Sequence, residues 1–214
     1  MSAELVKIDA LQPDVGTVQY AAKWVERGSV VAIPTDTLYA LAADPMNLSA
    51  VDEIFRVKCR ARTHALPILI NSMKQAMLLA RDPPQNFERL AKACWPGALT
   101  IVVDASNLVP LKVTANTGRI GLRWPKCETV RLLIDALGTP VTGTSANLSG
   151  HDACGSAEEV LLQLGDRIPL IVDAGTNGEK VKLPSTIVEL YGDAWRIGRE
   201  GAIQAEEIER VLRD

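Results

Sequence analysis

The sequence predicts an α/β domain built around a mixed sheet. Helical periodicity alternates along the chain with short apolar runs, as is typical of strands covered by helices. No repeated unit and no low-complexity linker interrupts this order. The chain has 214 residues, of which 47% are hydrophobic and 23% charged, so it can bury a substantial core. We therefore expect one domain over residues 1–214.

Seven segments carry helix signals. In the first, Val18, Ala21 and Ala22 recur at helical spacing, and Gly28 is a plausible stop. Ser49 is predicted to cap the second helix, with Asp52 as its capping-box partner, and a serine also precedes the sixth. The helices are predicted at residues 15–25, 49–58, 72–80, 85–95, 128–137, 156–164 and 205–213.

Seven apolar runs predict strands. The first run is closed by Pro34. The strands are predicted at residues 29–33, 66–70, 99–103, 120–124, 140–144, 170–173 and 186–190. Residues 173–184 contain Gly175, Asn177 and Gly178, which makes this loop the candidate for a mobile cover.

Composition excludes several functional classes. The net charge of −3 argues against a protein that coats nucleic acid, although a local basic groove remains compatible with it. The four cysteines form no CxxC pair, and only two histidines are present, so we expect reduced thiols and no metal site in the protein. Without a cationic leader or a long apolar run, we expect a cytoplasmic protein with no membrane span.

Several common catalytic motifs are absent from the sequence. It contains no GxxxxGK[ST] loop, no GxGxxG after the first strand and no GxSxG elbow. Two histidines also leave little room for a Ser-His-Asp triad. An enzyme with this sequence would therefore work by positioning and charge stabilisation rather than through a covalent nucleophile.

A cluster of cations points to an anionic ligand. Lys58, Arg60 and Arg62 alternate near the end of the second predicted helix, and Ser145 and Asn147 follow an apolar strand. Together they could hold a nucleotide triphosphate, with cations for the phosphates and a hydroxyl and amide for phosphate or ribose oxygens. The alternative is a solvated helix end and an ordinary strand-end turn.

Six motifs, in order, resemble those of the YrdC/Sua5 family. Three residues of this sequence differ from the family's motifs. Ala40 stands where the family has glycine, and Ala61 and Glu200 stand where it has proline. The motifs are PTDTLYAL at 34–41, Lys58-Cys59-Arg60, WPGALT at 95–100, Ser145-Ala146-Asn147, PSTI at 184–187 and REGAI at 199–203.

The resemblance implies a fold and an activity. The fold would be a twisted mixed sheet with flanking helices around a positively charged concave cleft, in the single-domain YrdC-like form. The activity would be that of an L-threonylcarbamoyladenylate synthase, a nucleotidyltransferase that uses L-threonine, bicarbonate and ATP and supplies the t6A modification of tRNA position 37. Mg²⁺ is expected to arrive with the ATP phosphates, and a downstream tRNA threonylcarbamoyltransferase complex is the expected partner.

The resemblance also assigns residues, with Lys58 and Arg60 as the catalytic cations. An inward-facing Arg123 would need an anion, either a substrate carboxylate or an internal acid. Asp36 could accept from the substrate hydroxyl or ammonium. The expected ATP-binding residues are Lys58, Arg60, Arg62, Thr114, Thr142, Ser145, Asn147 and Arg199, and the expected threonine-binding residues are Thr35, Tyr39, Arg123 and Ser185.

Two other functions stay open at the level of sequence. A basic concavity could accept double-stranded RNA or tRNA by charge and shape, which steep salt dependence without ATP turnover would reveal. A divergent carbamoyl-transfer paralogue could use a similar cleft on another acceptor, which failure of threonine to support turnover would reveal.

Overall fold

The computed structural model describes residues 2–175 and 183–213. It confirms the mixed α/β architecture, with the strands divided between two mixed sheets. The helices are α1 Val15–Glu26, α2 Leu48–Val57, α3 Met73–Leu79, α4 Gln85–Cys94, α5 Glu128–Leu137, α6 Ala157–Leu164 and α7 Ala205–Arg213. The strands are β1 Glu4–Lys7, β2 Val31–Ile33, β3 Ala40–Ala42, β4 Ile68–Leu69, β5 Leu99–Asp104, β6 Arg119–Arg123, β7 Val141–Thr142, β8 Thr144–Ser145, β9 Leu170–Asp173, β10 Thr186–Tyr191 and β11 Ala194–Arg199.

Both sheets combine parallel and antiparallel pairs. The five-stranded sheet has the order β1-β9-β2-β3-β8, with β9 parallel to both of its neighbours. The six-stranded sheet has the order β11-β10-β5-β6-β4-β7, in which β5 is parallel to β10 and antiparallel to β6. Among the described residues, no helix is long and apolar enough to cross a membrane.

The five-stranded sheet separates two hydrophobic cores. Val31 and Ile33 point to the side covered by α1 and α5, whereas Ala32 points to a larger core that includes α2, α4 and one face of the six-stranded sheet. This division follows from the alternation of side chains along a strand. Each fully buried aliphatic side chain, such as Ile33, contributes about 1.5–3 kcal/mol to folding.

Three strands escape the sequence prediction because none is an apolar β-branched run. β1 and β11 lie at sheet edges and are mostly exposed, and β3 is built from two alanines and a leucine. The predicted cap of α2 is wrong. Asn47, rather than Ser49, accepts hydrogen bonds from the backbone N–H groups of Ser49 and Ala50, so the helix begins at Leu48. The Ser156 cap of α6 is confirmed.

The predicted strand at residues 140–144 is divided at Gly143. β7 belongs to the six-stranded sheet and β8 to the five-stranded sheet, so the chain changes sheets at this glycine. The Gly143 N–H donates to Pro67 O at 2.8 Å. A Cβ atom at this position would lie 2.4 Å from Leu69 Cγ, so the two sheets meet here at a distance that only glycine permits.

The close approach at Gly143 predicts the effect of adding one methyl group. Gly143→Ala should lower the free energy of unfolding by about 1–3 kcal/mol, because the new Cβ would overpack the Leu69 side chain. Gly155→Ala is the matched control, since its Cβ would come no closer than 3.7 Å to Glu159, and it should change stability by less than about 0.5 kcal/mol. Urea unfolding measures both. Equal costs in the wild-type and Leu69→Ala backgrounds would show that the Leu69 contact is not the cause.

Candidate active site

A cavity of about 840 Å³ lies over one face of the six-stranded sheet. Side chains two residues apart on a strand point to the same face, so each strand contributes alternate residues to the floor. The floor consists of Ile187, Glu189 and Tyr191 on β10, Thr100 and Val102 on β5, and Arg119, Gly121 and Arg123 on β6. The intervening residues, including Ile101, Leu122 and Val188, are buried in the larger core.

Segments from the edge of the five-stranded sheet form the opposite side of the cavity. They include Thr35, Tyr39 and Ala40 around the start of β3, and Thr144 and Ser145 on β8. The lining contains the arginines Arg60, Arg119, Arg123 and Arg199 and the acids Asp152 and Glu189. Within the described residues, the balance of formal charge along the lining therefore favours an anionic ligand.

Arg123 lies on the cavity floor with an internal counter-ion. Its Nη2 donates to Asp36 Oδ1 at 2.6 Å, and the two side chains are only 8% and 15% exposed. Its Nη1 donates to Thr37 Oγ1 at 2.8 Å, and its Nε donates to Gly97 O at 3.2 Å. Burial lowers the pKa of the guanidinium, and the Asp36 carboxylate opposes that shift. Of the two anions that the sequence allowed, the structure shows the internal acid.

Asp36 is committed to this pair. Its second carboxylate oxygen accepts from the backbone N–H of Lys126 at 3.0 Å. It is not among the residues that line the cavity. The expected acceptor role of Asp36 toward a substrate hydroxyl or ammonium is therefore not seen in this arrangement.

Arg60 and Arg199 also reach the cavity. Arg60 is partly buried, which lowers the pKa of its guanidinium, and its Nη1 donates to Thr144 Oγ1 at 3.0 Å. Arg199, at the end of β11, donates from Nη2 to Ser185 O at 2.7 Å and to Ser185 Oγ at 3.1 Å. Ser185 Oγ lies 2.9 Å from Thr100 Oγ1. These contacts fix the two arginines beside hydroxyl groups that a ligand could also use.

Lys58 is not among the residues that line the cavity. It is the residue after α2, and its Nζ donates to Ser145 O, to Asn147 O at 2.9 Å and to Asn147 Oδ1 at 3.2 Å. Burial, followed by the charge of Arg60, lowers the pKa of Lys58 to about 8. The ammonium group thereby ties the end of α2 to the Ser145–Asn147 turn.

Asn147 has the same supporting position. Its amide nitrogen donates to Leu148 O at 2.9 Å and to His151 O at 2.7 Å, while its Oδ1 also accepts from Ser145 Oγ at 2.6 Å. The motif that was expected to face a nucleotide is therefore internally hydrogen-bonded. Ser145 alone of this turn's polar side chains contributes to the described lining.

Three other residues that were expected to bind ATP do not line the cavity. Arg62 is exposed and pairs with Asp52 at 3.0 Å. Thr114 is buried and donates to Leu111 O, and the Thr142 hydroxyl donates to Leu41 O and accepts from the Ala43 N–H. The hydroxyls of Thr114 and Thr142 already have protein partners, which accounts for their burial.

Thr35 and Tyr39 line the cavity as the sequence led us to expect. The Thr35 hydroxyl donates to Leu38 O at 2.7 Å and accepts from the Thr37 N–H at 3.0 Å, so it stabilises a local turn. The Tyr39 hydroxyl accepts from the Ala174 N–H at 3.1 Å, and burial raises its pKa to about 12. Tyr39 therefore stays neutral across the physiological range.

Sequence reasoning missed one end of the cavity, formed by Arg119, Glu189 and Tyr191. The signal was available, because Arg119 lies four residues before Arg123 on the same strand and so shares its face. Glu189 and Tyr191 alternate in the same way along β10. The Glu189 carboxylate accepts a hydrogen bond from the Tyr191 hydroxyl, and this contact raises the pKa of the Tyr191 phenol.

Two further expectations concern the cover formed by residues 173–184 and metal binding. Most of the proposed cover, including Asn177 and Gly178, lies outside the described residues. Across residues 2–175 and 183–213, no group of three or more His, Cys, Asp or Glu side chains could hold a metal ion.

A family model matches most of the chain. The model is that of the Sua5/YciO/YrdC family, carries the description "Telomere recombination" and matches residues 23–201. A threonylcarbamoyl-AMP synthase from Pyrococcus abyssi is 34% identical over 195 residues, which cover 91% of this chain and 57% of the relative. A putative threonylcarbamoyl-AMP synthase from Mycobacterium tuberculosis is 34% identical, with 88% of this chain and 85% of the relative covered.

A solved structure supports the same relationship. The crystal structure of Pyrococcus abyssi Sua5 complexed with L-threonine matches with a TM-score of 0.92 and 32% sequence identity, over 98% of this chain and 61% of that one. The chain thus spans less than two thirds of the length of the Pyrococcus protein.

The buried ion pair on the cavity floor predicts a large cost for removing one partner. Asp36→Asn should lower the free energy of unfolding by about 3 kcal/mol, because it leaves the Arg123 charge buried without its counter-ion. Glu209→Gln is the control. It removes the partner of exposed Arg213 and should cost less than about 0.5 kcal/mol. Denaturant unfolding distinguishes the two, and similar small costs would contradict the assigned burial of the pair.

The lowered pKa of Lys58 predicts a pH-dependent stability. The folded chain releases this proton near pH 8, whereas the unfolded chain holds it until about its ordinary value of 10.5. Since the unfolded state then binds more protons, the free energy of unfolding should rise between these pH values relative to that of Lys58→Met. Unfolding of both proteins from pH 7 to 10 measures the difference. A difference that stays constant over this range would disprove the shift.

Proposed function

Since the chain belongs to the Sua5/YciO/YrdC family, we propose that it is a nucleotidyltransferase that makes threonylcarbamoyl-AMP and pyrophosphate from L-threonine, bicarbonate and ATP. The product would serve the t6A modification of tRNA. One observation supports this function above the others. Three arginines, Arg60, Arg123 and Arg199, meet around one cavity beside the hydroxyls of Ser185 and other lining residues.

The amino acid would bind at the Arg123 end of the cavity. The substrate carboxylate would take a share of the Arg123 guanidinium, which is now paired with Asp36. Thr35, Tyr39 and Ser185 line the same region and would contact the remainder of threonine. L-threonine is the molecule bound to the Pyrococcus protein, whose fold this chain shares.

The reaction needs no protein nucleophile. The threonine nitrogen bonds to the bicarbonate carbon with loss of water, and the resulting carbamate oxygen attacks the α-phosphorus of ATP. The bond from that phosphorus to the bridging oxygen breaks, and pyrophosphate leaves with the electron pair. Holding the two reactants in place can supply effective molarities of about 10⁵–10⁸ M. Mg²⁺ would arrive on the phosphates, as it commonly binds through phosphate oxygens and water.

Arg60 and Arg199 would offset the phosphate charge. Both guanidiniums reach the cavity, and each can donate to two oxygens at once. Lys58 would act by a different route. Because its Nζ holds Ser145 and Asn147, we propose it as a positioning residue for the phosphate-facing turn. Direct contacts of Lys58, Arg62, Thr114, Thr142 and Asn147 with ATP remain predictions.

The wider biological setting is also part of the proposal. We propose that residues 1–214 act as a single YrdC-like domain in the cytoplasm. The product would pass to a tRNA threonylcarbamoyltransferase complex, because a mixed carbamoyl–phosphate anhydride is an activated intermediate that another enzyme must consume.

Pyrophosphate release tests the proposed function. We expect release from ATP and Mg²⁺ only when both L-threonine and bicarbonate are present. Arg60→Ala should lower kcat/KM by about 10²–10³, the usual effect of losing one donor to the transition state. Arg56→Ala is the matched control, because Arg56 is exposed on α2 and pairs with Glu53 outside the cavity. It should retain wild-type activity.

Other outcomes would point to other functions. Threonine-independent release with another amine would indicate a carbamoyl-transfer paralogue. No release from a folded protein, together with tRNA binding that weakens steeply with salt, would replace the synthase by an RNA-binding role.

A further inference from the structure

The loop that carries Arg60 connects α2 to β4. The Arg60 N–H donates to Phe55 O at 2.9 Å, which fixes the start of the loop to the helix. Its end is fixed by the Leu66 N–H, which donates to Val113 O at 2.8 Å. Between them, Ala61 keeps the φ freedom that a proline would remove. The position of the Arg60 guanidinium therefore depends on contacts made by the middle of the loop.

Arg62 makes such a contact. Its Nη2 lies 3.0 Å from Asp52 Oδ1, and its side chain is 63% exposed and does not line the cavity. Asp52 lies on α2, whose Val51 and Ile54 are buried in the larger core. The loop is thus tied to a helix that the core holds in place.

The same carboxylate holds a second segment. Asp52 Oδ2 accepts a hydrogen bond from Lys112 Nζ at 2.8 Å, and this contact keeps the pKa of Asp52 below its ordinary value. Lys112 belongs to residues 110–117, which end with Thr117 in the cavity lining and lead into β6. One side chain outside the lining therefore joins the two segments that bring Arg60 and Thr117 to the cavity.

This arrangement suits positioning more than overall stability. Exposed ion pairs contribute little to the free energy of unfolding, because solvent screens them. Here two such pairs share one carboxylate on a fixed helix and restrict two segments that would otherwise sample other positions. A loop that is ordered before its ligand arrives spares the ligand the entropic cost of ordering it. The effect is therefore expected on ligand affinity.

We propose that Asp52, Arg62 and Lys112 form an ion-pair clamp that holds the Arg60 loop against residues 110–117 and so keeps the Arg60 guanidinium at the cavity. Asp52 is a positioning residue, since it does not line the cavity. Arg62 acts through Asp52, in place of the direct contact with ATP that the sequence suggested. The inference rests on the proposed function, which assigns Arg60 to the ATP phosphates.

Electrostatic attraction and the clamp predict opposite effects of removing the Asp52 charge. Asp52→Ala removes one negative charge, which by Coulomb attraction alone would tighten the binding of an anionic nucleotide. The clamp predicts weaker binding, because the Arg60 loop loses its restraint. Glu53→Ala is the matched control. It makes the same charge change at the next residue of α2, where Glu53 pairs with exposed Arg56 within the helix.

Calorimetric binding of Mg²⁺–ATP measures this effect without turnover, because threonine and bicarbonate are left out. Asp52→Ala should weaken ATP binding by about 3- to 10-fold, within the range for residues in direct contact. Glu53→Ala should bind ATP as tightly as wild type or more tightly. Arg62→Ala should resemble Asp52→Ala, and the double variant should stay within about 2-fold of either single variant, because both changes remove the same contact.

Lys112 provides a rescue that separates charge from packing. Lys112→Met removes the second ion pair and should weaken ATP binding by about 2- to 5-fold, although Lys112 does not line the cavity. Lys112→Arg keeps the cation and should bind ATP within about 2-fold of wild type.

Hydrogen–deuterium exchange of the ligand-free proteins reports the clamp independently of any nucleotide. Asp52→Ala should speed exchange in peptides that cover residues 60–66 and 110–117, because loosened segments open more often. Exchange in α5 should not change, and Glu53→Ala should match wild type in both segments. Cooperative urea unfolding confirms that each variant is folded.

The outcomes separate this inference from the proposed function. ATP binding by Asp52→Ala that is as tight as that by Glu53→Ala, or unchanged exchange at residues 60–66, would overturn the clamp and leave the synthase proposal standing. Additive losses in the double variant would show that Arg62 contacts ATP itself, and would also overturn the clamp. A folded wild-type protein that binds no ATP would overturn both proposals.

Discussion

The alternation of side chains across the six-stranded sheet is the constraint on which the candidate site depends. On β5, β6 and β10, one set of alternate residues is buried in the core and the other set faces the cavity. Burial of Ile101, Leu122 and Val188 fixes the register, because a shift of one residue would exchange the two faces. The positions of Arg119, Arg123 and Glu189 are thus set by the packing of their apolar neighbours.

The sequence predicts the regular elements better than the irregular ones. α5, α7 and β9 begin and end where periodicity and apolar runs place them. The edge strands β1 and β11 could not be predicted in this way, because exposed edge residues carry no apolar pattern. The division at Gly143 also escaped, since the run at residues 140–144 is continuous and only the three-dimensional approach of Leu69 reveals the change of sheet.

The candidate site shows the same limit. Motifs and an isolated inward-facing cation led to Arg60, Arg123, Arg199 and Ser185, all of which the structure brings to one cavity. The motifs could not show which polar groups are already satisfied by the protein. Lys58 carries a charge in a sequence that suggests ligand binding, yet its described contacts are with backbone and amide oxygens of the protein. A residue that supports the site can be distinguished from one that contacts a ligand only through its hydrogen-bond partners. For Lys58 these partners lie almost ninety positions away in the sequence.

The Arg123–Asp36 pair has a consequence for the lifetime of a bound substrate. A tethered carboxylate competes with any external one at a high effective concentration, so an incoming anion gains only the difference between two ion pairs. When that anion departs, Asp36 can reoccupy the guanidinium without waiting for solvent to restore its hydration. This competition from Asp36 would shorten the time that an external anion stays bound to Arg123. For the proposed synthase, whose reactive product would pass to another enzyme, a site that empties readily would be an advantage.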